Sequence, residues 1–147
     1  MEFQSLNKLF LDRAEENSNN PFLWSKISKE WKSLTWNETL GKVKEFSSGL
    51  KSHGIKPGDR IVIVSENRPE WIIADLAITL LGGITVPAYT TNTEDDHHYI
   101  LEHSGAKAVI ISNNILGNRL ALATTRTKDC KILITIDNYN GFEPEDL

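Results

Sequence analysis

The chain has 147 residues, 39% of them apolar and 24% charged, with a net charge of −4. That length suits one domain able to bury roughly 70% of its unfolded surface, and the composition is that of an ordinary globular protein. Lysine and arginine are scattered rather than clustered, which excludes a nucleic-acid footprint.

Leu6, Leu9, Phe10 and Ala14 recur at helical spacing and predict an amphipathic helix over residues 5–16. Pro21 ends the Asn17–Asn20 run and biases its predecessor away from helix. Phe22–Ile27 and Trp31–Leu34 read as a hairpin around Ser28-Lys29-Glu30. That turn offers no Gly or Asn for positive φ, so a longer, bulged connection is expected. Thr35-Trp36-Asn37-Glu38 is a capping box. Trp36, Leu40, Val43, Phe46 and Leu50 then mark the buried face of a helix that Gly54 and Ile55 close in a Schellman-type end. Pro57-Gly58 turns the chain into Ile61–Val64, a continuously apolar run of the kind a doubly covered parallel strand requires.

Asn67 and Pro69 open a helix through Leu81, apolar on nearly all sides, that Gly82-Gly83 terminates. A short strand, Ile84–Val86, follows. Thr93 caps the next helix, with Asp95 and Asp96 placed against its positive end, and Gly105 closes it. Ala108–Ile111 is the next strand; Leu116, Leu120 and Ala123 predict one more helix despite Gly117, and Lys131–Ile136 a last strand. Beyond Ile136 the sequence is acidic and turn-forming. Strands alternating with helices predict an α/β fold, a parallel doubly wound sheet flanked by helices and preceded by the N-terminal helix and hairpin. The expected strands are 60–65, 84–87, 107–111 and 131–136, and residues 1–147 are read as a single, partial domain.

Two nucleotide-binding signatures fail. Gly41-Lys42 is followed by Val43 inside a helix, so no Walker loop exists there, and the turn Ser65–Pro69 after the first parallel strand contains no glycine for a dinucleotide fingerprint. Among His97, His98 and His103 no two stand three or four residues apart, and His97 and His98 diverge by about 100° on a helix. A solvated helix surface is expected for them in place of a metal site. Glu66, Arg68 and Glu70 flank a strand's carboxyl end, where doubly wound folds place ligands; the alternative is a solvated loop with local ion pairs. Tyr89–Thr93 leads to a helix N-terminus and either holds an anion or is a turn with an N-cap. Trp71 is expected in the core, and Cys130 has no neighbour that would activate its thiol.

Cys130 is also the single cysteine, which excludes an internal disulfide and fits a reducing compartment. Met1-Glu2-Phe3 runs straight into polar sequence, so no signal peptide is expected. Trp71–Leu81, broken by Asp75 and Thr79, falls short of the about 20 residues of a membrane span. The expected location is cytoplasmic, with peripheral attachment at the inner membrane face left open.

From Leu6 to Ile136 the chain resembles the adenylate-forming (AMP-binding) acyl-CoA synthetases. Leu34–Leu40 resembles their Leu-Thr/Ser-aromatic-x-Glu-x-Leu core motif, and Leu80–Pro87 a second one joining a buried helix to a short strand. Gly58-Asp59-Arg60, Asn67–Trp71, Tyr89–Thr93 and Ser104–Lys107 are similar to the long-chain fatty-acyl branch. The resemblance implies a full-length enzyme that joins a fatty acid to ATP, releases pyrophosphate from an acyl-adenylate, and passes the acyl group to coenzyme A with Mg²⁺ assisting. It also implies a Ser/Thr/Gly-rich phosphate loop ending in Pro-Lys-Gly, an aromatic-x-Thr-Glu motif, a ribose-binding Asp and a C-terminal catalytic Lys. None of these lies in the chain; Thr124–Lys128 is the nearest composition to the loop, and it lacks glycine. No catalytic, cofactor-binding or metal-binding residue is therefore assigned. The chain is expected to be the N-terminal portion of such a ligase, with the remaining ligase domain missing, inactive alone and binding no cofactor by itself. A ligase for another carboxylic acid, or a stand-alone non-enzymatic α/β module binding a ligand or partner, remains the alternative.

Overall fold

The computed structural model describes residues 5–138 and separates into two units. One comprises the described residues up to Gly54 together with Arg68–Leu81; the other comprises Ile55–Asn67 and the described residues from Gly82 on. The final acidic run of the sequence lies outside the described residues from position 139.

The first unit holds α1 (Leu6–Glu16), the antiparallel strands β1 (Pro21–Ile27) and β2 (Glu30–Thr35), α2 (Trp36–Ser52) and α3 (Pro69–Leu80). Phe10, Val43, Ile73, Leu76 and Ala77 form its buried centre. Alternation along β1 breaks at its start, where the register shifts between Pro21 and Leu23. That irregularity lets two successive residues, Phe22 and Leu23, pack against the same core, and Phe22 stacks on Trp36 at 3.7 Å. The capping box at Thr35 forms as read: the Glu38 amide donates to the Thr35 hydroxyl, and the Thr35 amide donates to the Glu38 carboxylate at 2.8 Å. The Thr35 amide and hydroxyl hold the Glu38 carboxyl below its ordinary range. On α3, Arg68 occupies the N-cap position ahead of Pro69, and the Thr79 hydroxyl donates to Asn7 across to α1 at 3.0 Å.

The hairpin departs from expectation. Its connection is a two-residue turn, with Ser28 at φ 51° and Lys29 at φ 71°, and Glu30 already pairs with Ile27 in the ladder. Cross-strand pairing from Ile27↔Glu30 back to Leu23↔Leu34 fixes the loop length, and the primed turn matches strand twist even without its preferred residues. Left-handed backbone costs a side-chain-bearing residue about 1–2 kcal/mol. Changing Ser28→Asn together with Lys29→Gly is therefore expected to raise stability by about 1–2 kcal/mol in urea unfolding, and an unchanged midpoint would refute the turn geometry.

The second unit is a parallel sheet with its helices: β3 (Arg60–Val64), β4 (Ile84–Ala88), α4 (Glu94–Ser104), β5 (Ala108–Ile111), α5 (Asn114–Thr125) and β6 (Ile132–Thr135). The strand order is β4-β3-β5-β6 with every neighbouring pair parallel, as the apolar run Ile61–Val64 requires. Leu101 of α4 and Leu116, Leu120 and Ala123 of α5 cover the face carrying Val62, Val64, Val109 and Ile111. Gly105 closes α4 at φ 61°, the left-handed position the sequence assigns to it.

Gly58-Asp59-Arg60 has a structural task. Gly58 stands at φ 85°, the Asp59 carboxylate accepts from the Lys56 amide at 2.8 Å, and the Ile84 amide donates to the Asp59 carbonyl at 2.8 Å. Arg60 Nε then donates to Ser104 O at 2.8 Å and Nη2 to Gly105 O at 3.1 Å, closing the carbonyl end of α4.

Candidate functional site at the strand ends

The chain leaves β3 for β4 on one side and β5 for β6 on the other, so the direction of winding reverses between two adjacent strands. Open α/β sheets place ligands outside the carboxyl ends of such strands. Here that position is bounded by Ser65-Glu66-Asn67 after β3 and Ser112-Asn113 after β5. Asn113 Nδ2 donates to Glu66 Oε1 at 3.0 Å and to the Ser112 hydroxyl at 3.2 Å, while Asn113 Oδ1 accepts from the Leu116 amide and caps α5. The Ser112 amide donates to Val64 O and the Asp137 amide to Ser112 O, extending the sheet by one step; Ser112 is fully buried.

Of the sequence candidates, Glu66 belongs to this crevice. Arg68 and Glu70 belong to the other unit, where Arg68 Nε donates to Glu70 Oε2 at 2.8 Å. Ser112 and Asn113 escaped the sequence reading, although Ser-Asn-Asn between an apolar strand and a helical pattern is an N-cap signal.

The second candidate, Tyr89–Thr93, lies between β4 and α4. Thr93 and Asp96 form a complete capping box: the Asp96 amide donates to the Thr93 hydroxyl, and Asp96 Oδ2 accepts from the Thr93 amide at 2.9 Å and the Thr93 hydroxyl at 2.7 Å. Those two donors hold the Asp96 carboxyl below its ordinary range. Beside it, Arg126 Nη1 donates to both Glu94 and Asp95 at 2.8 Å. The helix terminus is already engaged by the chain's own carboxylates, so the turn-and-cap reading prevails over anion binding.

The histidines divide differently from expectation. His103 is exposed and its ring stacks on Tyr99, whereas His97 is only 1% exposed. One helical turn before buried Leu101, His97 faces inward instead of lying on a solvated surface. Neither of its ring nitrogens has a hydrogen-bond partner among the described residues. Burial, reinforced by Arg119 and opposed by Asp96, pushes its pKa below 6.5. Among the described residues no group of three or more His, Cys, Asp or Glu side chains is placed to hold a metal ion. Cys130 is buried and desolvation pushes its thiol pKa up. Trp71, expected in the core, is half-buried.

Of the segment nearest in composition to a phosphate loop, Thr124 and Thr125 end α5, where their hydroxyls donate to Ala121 O and Leu122 O at 2.7 Å, and Arg126–Lys128 follow the helix. Lys107 pairs with Asp129 at 2.9 Å, Arg126 with two carboxylates, and Arg60 with backbone carbonyls.

A two-stranded antiparallel sheet with its helices and a parallel sheet wound 4-3-5-6 define a fold that makes up part of the adenylate-forming ligases. The family model described as "AMP-binding enzyme" matches residues 10–146, and the chain belongs to that family. The long-chain-fatty-acid–CoA ligase FadD15 of Mycobacterium tuberculosis is 38% identical over 80 residues, 54% of this chain and 13% of that protein. The human mitochondrial acyl-coenzyme A synthetase ACSM5 is 31% identical over 108 residues, 71% of this chain and 18% of its own. A benzoate CoA ligase structure from Burkholderia xenovorans superimposes with a TM-score of 0.79 at 26% identity, covering 92% of this chain and 26% of that one. The coronafacic acid ligase of Pectobacterium brasiliense (TM-score 0.82, 22% identity, 97% of this chain and 27% of that one) shows the same fold. The chain thus spans under a fifth of the length of these two curated relatives.

Proposed function

We propose that this chain is the N-terminal portion of an ATP-dependent long-chain fatty-acid–CoA ligase of the cytoplasm, catalytically inert by itself. The observation that carries the reading is the family match over residues 10–146 joined to the likeness to a long-chain-fatty-acid–CoA ligase. Fatty acid, ATP, Mg²⁺ and coenzyme A are the reactants and cofactors of the complete enzyme, and its phosphate cradle and catalytic lysine come from sequence after Leu147. The inward histidine and the engaged helix N-terminus support inertness, because this portion supplies framework and no charge cradle. β6 at the margin of the sheet, with Ile132–Thr135 half-buried while β5 is fully buried, supports a sheet that continues into further sequence.

A ligase for another carboxylic acid is the second reading, favoured by the likeness to a benzoate CoA ligase. A stand-alone binding module is the third, and no observation favours it. The isolated chain is expected to give no fatty-acid-stimulated ATP–pyrophosphate exchange above a boiled control. Mg²⁺-dependent exchange from these residues alone would overturn the inert framework. For the full-length gene product, exchange with palmitate but not benzoate supports the fatty-acid reading, and the reverse preference replaces it with the second. A gene without a Ser/Thr/Gly-rich loop ending in Pro-Lys-Gly after Leu147 refutes an intact ligase.

A further inference from the structure

The start of α4 holds a buried base under a clamp of surface charges. His97 is 1% exposed, and neither of its ring nitrogens has a hydrogen-bond partner among the described residues. It stands four residues after the N-cap Thr93, and its amide donates to Thr93 O at 3.1 Å, closing the first turn of the helix. From α5, Arg126 Nη1 donates to both Glu94 and Asp95 at 2.8 Å, and Arg119 Nη1 donates to Asn92 O at 3.4 Å. The turn is thus clamped at two points, both on its outside.

A proton on His97 has little to hold it in place. Arg119 faces the ring from α5, and the positive end of the α4 dipole lies within about one turn of it. Asp96 opposes them, but its carboxylate is already committed to the Thr93 amide and hydroxyl. His98 follows on the same helix; β4, which also packs on α4, carries no titratable side chain, and Arg60 lies at the helix's opposite end. A buried charge without an acceptor is expelled or neutralised. The route out is short, because Leu101 anchors the next turn in the core and Arg60 closes the far end. Unwinding the first turn alone frees the ring, at the loss of the Thr93–Asp96 capping box and the Arg126 pairs. Asp95 in those pairs is 83% exposed, and exposed ion pairs hold weakly.

We propose that the first turn of α4, with the Tyr89–Thr93 loop before it, is an acid-released latch: protonation of His97 expels the ring, unwinds residues 93–97 and frees Glu94 and Asp95 from Arg126, while the sheet stays folded. The loop follows the carboxyl end of β4, on the side where open α/β sheets place ligands, so mild acid reshapes that rim. The latch rests on packing within this unit and not on the ligase reading: a full-length protein without adenylation activity leaves it untouched.

Hydrogen exchange of the full-length gene product, read peptide by peptide and corrected for the intrinsic effect of pH, tests the latch. Between about pH 7.5 and about pH 5.5 the amides of Asp96 and His97 should lose protection about 5- to 10-fold, as a group titrating at 6.5 once freed allows. Their exchange should be unmoved by about 1 M urea, the mark of local opening, whereas that of β5 accelerates. His97→Leu should abolish the acid response. Arg126→Gln, which alters a surface side chain, should speed exchange of the same amides about 3-fold at pH 7.5, and its result stands even if the leucine variant unfolds. A first turn that exchanges alike at both pH values overturns the latch, as it would if further sequence covered that turn. A urea dependence as steep as that of β5, a leucine variant that keeps the acid response, or an Arg126→Gln protein as protected as the parent overturns it as well.

Discussion

Replacing Arg60 by alanine is expected to destabilise the parallel-sheet unit by about 2–3 kcal/mol. Arg60 is the first residue of β3, and its guanidinium reaches three carbonyls: Ser104 through Nε, Gly105 through Nη2 and Gly58 through Nη1 at 3.1 Å. Two of these belong to the last turn and cap of α4, where helix carbonyls lack intrahelical donors and carry the negative end of the dipole. Alanine leaves those oxygens without the charged donor and unlocks α4 from the start of β3.

A second substitution makes the test specific. A Cβ placed on Gly105 would sit 2.8 Å from Arg60 Nη2, on a backbone at φ 61°. Gly105→Ala should therefore cost about 1–2 kcal/mol for backbone conformation plus the displacement of the guanidinium. In the Arg60→Ala background the displacement vanishes, so the two losses should sum to more than the loss in the double variant. Urea unfolding of the four proteins measures this. Strict additivity, or a loss below about 0.5 kcal/mol for Arg60→Ala, would show that the guanidinium does not close α4.

Replacing His97 by leucine should do the opposite and stabilise the protein by about 1–3 kcal/mol at neutral pH. Its imidazole is buried beside Leu101 with neither nitrogen hydrogen-bonded among the described residues, and leucine keeps apolar volume at the site while removing two polar atoms. The same substitution should flatten the response to mild acid. The groups facing His97 are Arg119 from α5 and Asp96 from its own helix, and burial together with Arg119 lowers its pKa. Because the folded value lies below the unfolded 6.5, the unfolded chain binds the proton first. The stability due to neutral His97 is thus fully present above 6.5 and is lost as pH falls from 6.5 through the folded value. Unfolding midpoints at about pH 7.5 and about pH 5.5 should diverge less for His97→Leu than for the parent protein. Asp96, held low by its capping hydrogen bonds, titrates on the acid side of this window and leaves the comparison clean. A leucine variant that is less stable, or that keeps the parent's full pH dependence, would mean that the imidazole is satisfied.

Much of this was legible in the residues themselves, because local rules and tertiary packing point the same way. Thr35 with Glu38 and Thr93 ahead of α4 specify helix starts through hydrogen bonds that span three residues. Gly105 specifies a helix end because left-handed backbone strongly favours glycine. Ile61–Val64 and Ala108–Ile111 specify strands covered on both faces, since an unbroken apolar run has no face for water. Parallel pairing follows from the intervening helices.

Tertiary structure decided what depends on partners distant in sequence. Ser28 and Lys29 adopt left-handed backbone because pairing between β1 and β2 outweighs their local preference. Phe22 and Leu23 both reach the core because a register shift, invisible to a period of two, breaks the alternation. His97 turns inward because its helix face is set by Leu101 and α5, whereas a polar residue by itself reads as surface. Glu66 meets Asn113 because the sheet order brings residues 47 positions apart to one crevice, a distance no local pattern spans.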